Sequence, residues 1–400
     1  MSNDKNNPII VIGGGIGGLA TALGLAENKK YVKVLEQAPE FLEIGAGIQL
    51  AANATNVLQR LGVMDKINEI AVFPKRLVLM DAFTGKELSA LELGDVYKER
   101  YGAPYIVLHR SDLHKALYDT CEVSPYIDLI TDQSIVQTEE TEGIVTVTSA
   151  NGDVHTGSAA IGADGLWSNA RKLFVDDQPV CSEYVAYRGA IPMEDVKEVE
   201  NLDDVFMWIG PNFHLVQYPV RRGELYNQVV VFKSSDYRKE IQFTDEWGTP
   251  EEMDRVFAGT CGLVQTALSF IQRQKRWPMY DREPIENWTK GRITLTGDAA
   301  HPMLQYLAQG ACQAFEDAAY LADMVEKYDE DIETAFQKYQ EERIPRTTYV
   351  QNNARLWGEI IHAVTLETIL LRNTIMEGRT SQDFTFIDKF HGYNKSKVTN

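Results

Sequence analysis

The chain has 400 residues, of which 44% are hydrophobic and 24% are charged, and its formal net charge at pH 7 is −19. The composition is typical of a globular protein, and the length predicts about two or three domains. Because an acidic surface is repelled by phosphate groups, the charge argues against a nucleic-acid partner and against binding to an anionic membrane.

The cysteines and the first apolar segment bear on the compartment. Four cysteines occur without zinc-ligand spacing, and a disulfide framework is not expected at this length, so the sequence favours a reducing cytoplasm. The uncharged residues 9–26 resemble a signal peptide or a membrane span, but their six glycines favour a strand and a turn instead. Histidines and carboxylates lack ligand spacing, so no metal site is predicted.

The first predicted elements form a βαβ unit. Residues 9–12 are a β-rich apolar run, residues 19–27 predict a helix, and residues 32–36 predict a second strand. Further along, Ser111 is the expected N-cap of a short helix that reaches about Cys121. Residues 144–148 and 154–161 are expected to form a hairpin around the Asn-Gly pair at 151–152.

The later elements alternate between sheet and helix. Residues 204–231 predict an antiparallel sheet, and Thr249 followed by Pro250 predicts a helix start. A strand is expected at 292–296 and a helix at 310–327, and the polar tail from about Arg379 is expected to lie loosely on the surface.

Glycines in the order Gly13-x-Gly15-x-x-Gly18 join the first strand to the first helix. In that position they permit a tight turn, close approach of a pyrophosphate and packing of the helix on the strand. Glu36 ends the second strand, where a carboxylate can accept both hydroxyls of a ribose. The alternative is a glycine-rich turn with a surface glutamate.

Two more carboxylates follow predicted strands. Asp164 lies in a Gly-Ala-Asp-Gly sequence, and Asp298 lies in a Gly-Asp-Ala-Ala-His-Pro sequence. Either could be a simple turn, but three such signals at strand ends indicate a cofactor site at the edge of a parallel sheet.

In their order and spacing, these three motifs resemble the fingerprint of the single-component flavoprotein aromatic hydroxylases, the group of p-hydroxybenzoate and salicylate hydroxylases. The resemblance covers about residues 8–375. It implies noncovalent FAD, with Glu36 at the adenosine ribose, Asp298 near the ribityl chain and Arg110 near the flavin ring. It links Asp164 to both FAD and the nicotinamide, and it implies NADH or NADPH as a transient cosubstrate.

Within that family the chain is similar to the 3-hydroxybenzoate 6-hydroxylases. The segments that carry this similarity are 187–189, 213–219, 277–288 and the Leu-Gln-Tyr sequence at 304–306. The subgroup implies conversion of 3-hydroxybenzoate to 2,5-dihydroxybenzoate with dioxygen, by way of a flavin hydroperoxide. A decarboxylating salicylate hydroxylase, a hydroxynicotinate monooxygenase and a non-catalytic flavin-binding redox sensor are the alternatives.

Three residues are candidates for the substrate pocket. His214 is expected on a strand of the antiparallel sheet, and with an unperturbed pKa of about 6.5 it could take a phenol proton near neutral pH. Tyr218 lies four residues on and therefore on the same face, where it could orient the ring or belong to the core. Gln305 could hold a phenol oxygen through its amide. For His214 and Gln305 the alternative roles are a structural histidine and a loop glutamine bonded to the backbone.

The predicted fold is α/β, with a Rossmann-like FAD-binding domain, an interleaved and mainly antiparallel substrate domain, and C-terminal helices. The expected FAD-binding domain comprises residues 1–75, 105–180 and 275–375. The expected substrate domain comprises residues 76–104 and 181–274, and residues 376–400 form a tail. The expected partners are a small phenolic acid, dioxygen and NAD(P)H, with no membrane insertion and a homodimer as a possibility from the family.

Overall fold

The predicted βαβ unit opens the fold. In the computed structural model, which describes residues 3–41, 46–196, 201–329 and 331–393, β1 (Ile9–Ile12) leads into α1 (Ile16–Glu27) and then into β2 (Val32–Leu35). β1 and β2 pair in parallel, with Ile9 opposite Val32. Every β1 residue is buried, as is typical of a central strand in a parallel sheet.

The remaining elements follow in chain order. The strands are β3 (Gly47–Leu50), β4 (Arg76–Asp81), β5 (Glu87–Glu92), β6 (Ile106–His109), β7 (Ile127–Ile130), β8 (Ile135–Thr141), β9 (Ile144–Ser149), β10 (Val154–Gly157), β11 (Ala159–Gly162), β12 (Val180–Pro192), β13 (Val205–Gly210), β14 (Phe213–Val220), β15 (Leu225–Lys233), β16 (Trp277–Asp281), β17 (Thr289–Lys290) and β18 (Ile293–Leu295). The helices are α2 (Ala52–Arg60), α3 (Met64–Asn68), α4 (Asp95–Tyr101), α5 (Arg110–Glu122), α6 (Pro250–Val256), α7 (Gly262–Ser269), α8 (Gly310–Tyr328), α9 (Ile332–Ile361), α10 (Leu366–Glu377) and α11 (Asp388–His391).

Two large sheets organise these elements. The first has the order β17-β18-β11-β1-β2-β7 and is parallel except where β17 meets β18. The second has the order β16-β12-β15-β14-β13-β4-β5 and is antiparallel except where β13 meets β4. Since β4 and β5 precede β7 in the chain, the two sheets interleave in sequence, and the predicted α/β fold class is confirmed.

The second sheet packs against apolar partners on both faces. Phe213 and Leu215 on β14 point into a core shared with Trp247 and Phe257 beside α6 and α7. His214 and the residues two and four positions later face the opposite way, toward the first sheet, as period-two alternation requires. Because Phe213 to Val220 are all buried, β14 lies in the interior of the molecule.

Most of the predicted elements are confirmed, including the antiparallel sheet, the hairpin turn and the helix from Gly310. Thr249 caps α6 by accepting a hydrogen bond from the Glu252 amide.

Three expectations were wrong. α5 begins at Arg110 and His109 is its N-cap residue, so Ser111 lies inside the helix, where its hydroxyl bonds to the His109 ring.

The expected strand over residues 154–161 is two strands in different sheets. β10 pairs with β9, whereas β11 pairs with β1 in the parallel sheet. The chain passes close to the N-terminal segment at the junction, where an added Cβ on Gly157 would lie 2.4 Å from the carbonyl oxygen of Pro8.

The expectation of a loose tail was also wrong for residues 379–393. Phe384 and Phe390 are buried, and the ring of His391 hydrogen-bonds the hydroxyl of Tyr97 at 3.0 Å. Residues 394–400 lie outside the described part of the chain. In addition, β16 belongs to the second sheet, so that sheet extends past residue 274, where the substrate domain was expected to end.

Candidate active site

The glycine turn between β1 and α1 leaves open space above one of its residues. Gly13 has φ +110, and an added Cβ there would lie 2.4 Å from the Ala163 carbonyl oxygen. A Cβ on Gly18 would lie 2.0 Å from the Gly13 carbonyl oxygen, whereas a Cβ on Gly15 would meet nothing within 4 Å. Gly13 and Gly18 are therefore needed for the tight backbone packing of the turn. Gly15 faces the open space through which a pyrophosphate can approach the helix N-terminus.

Glu36 lies beside this turn, directly after β2. Its carboxylate accepts hydrogen bonds from the Gly14 amide at 2.7 Å and from the Ala38 amide at 2.8 Å. The carboxylate is therefore fixed next to the glycine turn, at the edge where a ribose would follow the pyrophosphate.

Asp298 is exposed toward the cavity, and a buried ionic cluster holds the backbone beside it. The Asp317 carboxylate accepts from the Gly297 amide at 3.0 Å, the His301 ring at 2.6 Å and the Arg343 guanidinium at 2.7 Å. Burial alone would raise the pKa of Asp317, but the charges of His301 and Arg343 outweigh it and hold the pKa well below its usual range. The cluster therefore keeps a charge on Asp317 that fixes the Asp298 turn.

Asp164 has a structural position. Its carboxylate accepts from the Ser168 hydroxyl at 2.5 Å and from the Asn169 amide at 2.7 Å, which closes the turn after β11. The neighbouring Ala163 and Gly165 line the cavity, but Asp164 does not. Arg171 connects this turn to the Asp298 segment, because its guanidinium donates to the Ala300 carbonyl oxygen at 2.6 Å.

A cavity of about 460 Å³ runs from the glycine turn to the second sheet. It collects candidates from distant parts of the chain, namely Gly15, Arg110, His214, Tyr218, Asp298 and Gln305. Glu36, Gly13, Gly18 and Asp164 lie outside its lining. The parallel sheet and its loops thus form one end of the cavity, and β14 forms part of the other.

His214 is buried at this second end. Its Nδ1 lies 2.7 Å from Nε2 of His362, which leaves Nε2 of His214 as the ring nitrogen that a ligand in the cavity can meet. Burial lowers the pKa of His214 to about 3, so the expectation of a pKa near its unperturbed value was wrong. At neutral pH the ring is uncharged and has one nitrogen that accepts and one that donates.

Tyr218 and Gln305 complete the candidate set. Tyr218 lies on the same face of β14 as His214, and its ring packs so closely on Gly47 that a Cβ there would lie 2.4 Å from it. Burial raises the pKa of Tyr218 above its ordinary range, so its hydroxyl stays protonated. Gln305 begins a short 3-10 helix, Gln305–Leu307, just after the Asp298 turn. The structure therefore brings all three predicted pocket residues to one cavity.

Several residues that line the cavity were not among the site candidates named from the sequence. The hydroxyl of Tyr306 is buried, and Arg188 stacks over the ring of Trp277. Phe386 and Phe390, from the segment expected to be loose, also line the cavity. His362 does not line the cavity but lies behind His214, directly after the 30-residue helix α9, and no pattern in the sequence indicated it.

The FAD binding domain family matches residues 6–354. The chain belongs to this family. It is 40% identical to a 3-hydroxybenzoate 6-hydroxylase of Polaromonas naphthalenivorans over 98% of this chain and 97% of that protein. It is 38% identical to a 3-hydroxybenzoate 6-hydroxylase of Klebsiella oxytoca over 94% of each chain. The resemblance inferred from the motifs is thereby confirmed.

Solved structures agree with the fold. Klebsiella pneumoniae HpxO, solved with FAD and uric acid, has a TM-score of 0.83 at 24% identity and covers 97% of this chain and 96% of its own. A salicylate hydroxylase in complex with its substrate has a TM-score of 0.79 at 25% identity, covering 98% of this chain and 97% of its own.

The residues of the glycine turn and of the cavity next to it fit FAD, the cofactor of this family. The unobstructed space above Gly15 suits a pyrophosphate, and the cavity continues from there past Asp298 toward Arg110. Among the residues that the structure describes, there is no group of three or more His, Cys, Asp or Glu side chains that could hold a metal ion. In the same ranges, the helices are too short or too polar to cross a membrane.

Proposed function

We propose that the chain hydroxylates 3-hydroxybenzoate to 2,5-dihydroxybenzoate, using NADH in preference to NADPH, dioxygen and bound FAD. The observation that carries this proposal is that His214 and Gln305, from separate parts of the chain, line one cavity that continues to Gly15 and Asp298. Two relatives with the same named activity, matched over nearly their whole length, support the choice of substrate.

When bound, FAD accepts electrons from the nicotinamide and activates dioxygen for transfer to the ring. The chain has three tasks, which are to place the ring, to exclude water and to make the ring electron-rich. Leu79, Met207 and Val229 provide an apolar wall beside His214. An apolar enclosure keeps water from the reacting atoms and strengthens each polar contact made inside it.

The phenol oxygen is the group that His214 and Gln305 recognise. Nε2 of His214 accepts the phenol proton, and the Gln305 amide donates to the oxygen as negative charge develops on it. Electron density then rises at the position para to the oxygen, where a hydroxyl must be added to give the 2,5-dihydroxy product. Tyr218, on the same face as His214, orients the ring.

We assign the cofactor side of the cavity to the motif residues. Gly13, Gly15 and Gly18 form the pyrophosphate turn, Glu36 holds the adenosine ribose and Asp298 lies by the ribityl chain. Arg110, which begins α5 and lines the cavity, faces the flavin ring. Asp164 acts through the turn that it closes, which shapes the cavity beside Gly165.

A panel of hydroxybenzoates tests the activity. Product is identified by chromatography and compared with the NADH consumed. We expect 2,5-dihydroxybenzoate from 3-hydroxybenzoate as the main coupled reaction. Catechol and carbon dioxide from salicylate would instead assign the chain to the salicylate hydroxylases, and a hydroxylated pyridine would assign it to the hydroxynicotinate monooxygenases. NADH consumption that no phenol stimulates would indicate a flavin-binding sensor.

We also propose a homodimer in the cytoplasm. Apolar side chains on and just before α10 are exposed in the single chain, namely Val364, Leu366, Leu370, Leu371 and Ile375. Burial of this surface by a second copy would be favourable. All four cysteines are free thiols, which fits a reducing compartment. Light scattering of the purified protein measures the mass, and a monomer at micromolar concentration would refute the dimer.

A further inference from the structure

A second histidine lies directly behind His214. The two rings lie edge to edge and nearly coplanar, with centroids 5.0 Å apart and planes inclined by 21°, and Nδ1 of His214 lies 2.7 Å from Nε2 of His362. Both side chains are buried. His214 thus has one ring nitrogen toward the cavity and the other on a second proton-binding group, which is an arrangement that can move a proton away from a ligand.

Four elements surround His362. The ring of Tyr184 on β12 stacks on it with centroids 4.7 Å apart, and the ring of Tyr306 meets it edge-on at 5.1 Å. Arg372 on α10 lies nearby and donates to the Ile361 carbonyl oxygen at 2.9 Å. His214 on β14 completes the contacts. His362 is also the C-cap residue of α9, so it stands at the negative end of that helix's dipole.

We propose that His362 is a positioning residue that receives, through His214, the proton released when the bound phenol ionises. The inference rests on the proposed function, because it requires a phenolic ligand in the cavity. Before binding, Nδ1 of His214 donates to Nε2 of His362. The phenol proton then passes to Nε2 of His214 while the Nδ1 proton passes to Nε2 of His362. The products are a phenolate, a neutral His214 and a protonated His362, and the proton count is unchanged.

The surroundings explain why the positive charge belongs on His362 and not on His214. A cation at a helix C-terminus is favoured by the dipole, and the face of the Tyr184 ring attracts it further. His214 lies inside strand β14 and not at a helix end, and the Tyr306 ring meets it edge-on at 5.6 Å and does not stack on it. Arg372 acts in the opposite sense, since its charge repels a second cation.

The empty site keeps both histidines ready to accept. Burial lowers the pKa of His362 well below its ordinary value, and the neighbouring His214 and Arg372 lower it further. Neither ring is therefore protonated at neutral pH before substrate binds. The negative charge of the phenolate offsets these effects, so the proton stays on the pair only while the phenolate is present.

Nitrogen NMR of the FAD-loaded protein tests the location of the proton directly. The chain has seven histidines, so each ring labelled with ¹⁵N is assignable by single substitutions. With 3-hydroxybenzoate bound near pH 7, we expect phenolate absorbance together with imidazolium shifts at His362 and neutral shifts at His214. Phenolate absorbance with both rings neutral, an imidazolium at His214 instead of His362, or a bound phenol that stays protonated would each overturn the proposal.

His362→Gln removes the second proton site and keeps a side chain that can hydrogen-bond His214. We expect FAD content and KM within about twofold of the unsubstituted chain. We expect kcat about tenfold lower at pH 7, a loss that shrinks as pH rises because solvent then accepts the proton. A change of packing alone would not produce that pH dependence. His155→Gln is the control, since His155 lies on β10 and bonds Gln133.

The kinetic outcomes separate the two proposals. If the unsubstituted chain does not make 2,5-dihydroxybenzoate, the proposed function fails. If it does and His362→Gln keeps the same rate, coupling and pH profile, only the role of His362 fails. Should the variant lose FAD or fail to fold, the NMR experiment on the unsubstituted chain still decides the question.

Discussion

Substitution of Gly15 by alanine should separate folding of the glycine turn from binding of FAD. Gly15 has φ −72 and ψ −178, which alanine adopts without strain, and an added Cβ has no neighbour within 4 Å. Gly18, the last glycine of the same motif, is the matched contrast, because its Cβ would lie 2.0 Å from the Gly13 carbonyl oxygen. The two variants add the same methyl group to the same turn.

The expected magnitudes follow from these contacts. Alanine for glycine at a compatible backbone stabilises by ~0.4–1 kcal/mol, and loss of an N-cap glycine costs a similar ~0.5–1 kcal/mol. The free energy of unfolding of FAD-free Gly15→Ala should therefore change by less than about 1 kcal/mol. Its FAD dissociation constant should rise at least ~10-fold, equivalent to ~1.4 kcal/mol, because the methyl group occupies the pyrophosphate space. Gly18→Ala should lose ~1–3 kcal/mol of stability through overpacking.

Urea unfolding of the FAD-free proteins gives the stabilities, and quenching of flavin fluorescence gives the affinities. Gly15→Ala that binds FAD as tightly as the unsubstituted chain would show that the pyrophosphate lies elsewhere. Gly18→Ala with unchanged stability would show that the turn relaxes more readily than its geometry indicates.

Four further substitutions test other parts of the site. Glu36→Ala should weaken FAD binding by about 10- to 150-fold, since hydrogen bonds to a charged group are worth ~1.5–3 kcal/mol. Equilibrium dialysis measures the affinity, and FAD that binds as tightly as to the unsubstituted chain would refute the ribose assignment. His214→Ala should keep FAD but lower the rate of hydroxylation by ~10²–10⁴-fold, and Gln305→Ala should keep FAD and lower that rate by ~10–100-fold. In both variants NADH should be diverted to hydrogen peroxide. The double mutant should lose less rate than the two single losses multiplied together. Wild-type product per NADH in His214→Ala would make that histidine structural. Asp317→Asn should lower the free energy of unfolding by ~3–5 kcal/mol, because Arg343 loses a buried partner. The pKa of Asp317 is lower in the folded chain than in the unfolded chain. The ionised carboxylate therefore stabilises the fold at pH values above the unfolded pKa, and this stabilisation is lost as pH falls toward the folded pKa. The free energy of unfolding of Asp317→Asn, measured with urea, should therefore change less in acid than that of the unsubstituted chain.

Local signals in the sequence were sufficient for the βαβ unit and its glycine turn. The strand before Gly13, the helix that includes Gly18 and the carboxylate of Glu36 lie close together in the chain, so their spacing is visible in the sequence. The Thr249 cap and the Asn-Gly turn at 151–152 were predictable for the same reason. Such signals depend on neighbours in the chain, which the sequence displays.

The errors arose where contacts are distant in sequence. The break between β10 and β11 depends on the approach of Pro8, about 150 residues earlier, and no local pattern records it. The tail looked polar, yet Phe384 and Phe390 are enough to anchor it beside Tyr97 and Tyr101. The pKa of His214 likewise depends on burial from several elements, so the unperturbed value was a poor guide.

One helix connects the cofactor turn to the proposed phenol site. Near its middle, α9 places Arg343 on Asp317, which holds the Asp298 turn. Two turns later, the Gln351 amide donates to the Pro302 carbonyl oxygen at 2.9 Å, and Gly358 packs so tightly on Tyr306 that an added Cβ would lie 2.5 Å from the ring. The helix ends at His362, which holds His214. Since Arg343, Gln351 and His362 are all carried by α9, the spacing between the Asp298 turn and His214 depends on this helix as well as on the two sheets. A substitution on the buried face of α9 can therefore disturb coupling of NADH consumption to hydroxylation without touching FAD or substrate.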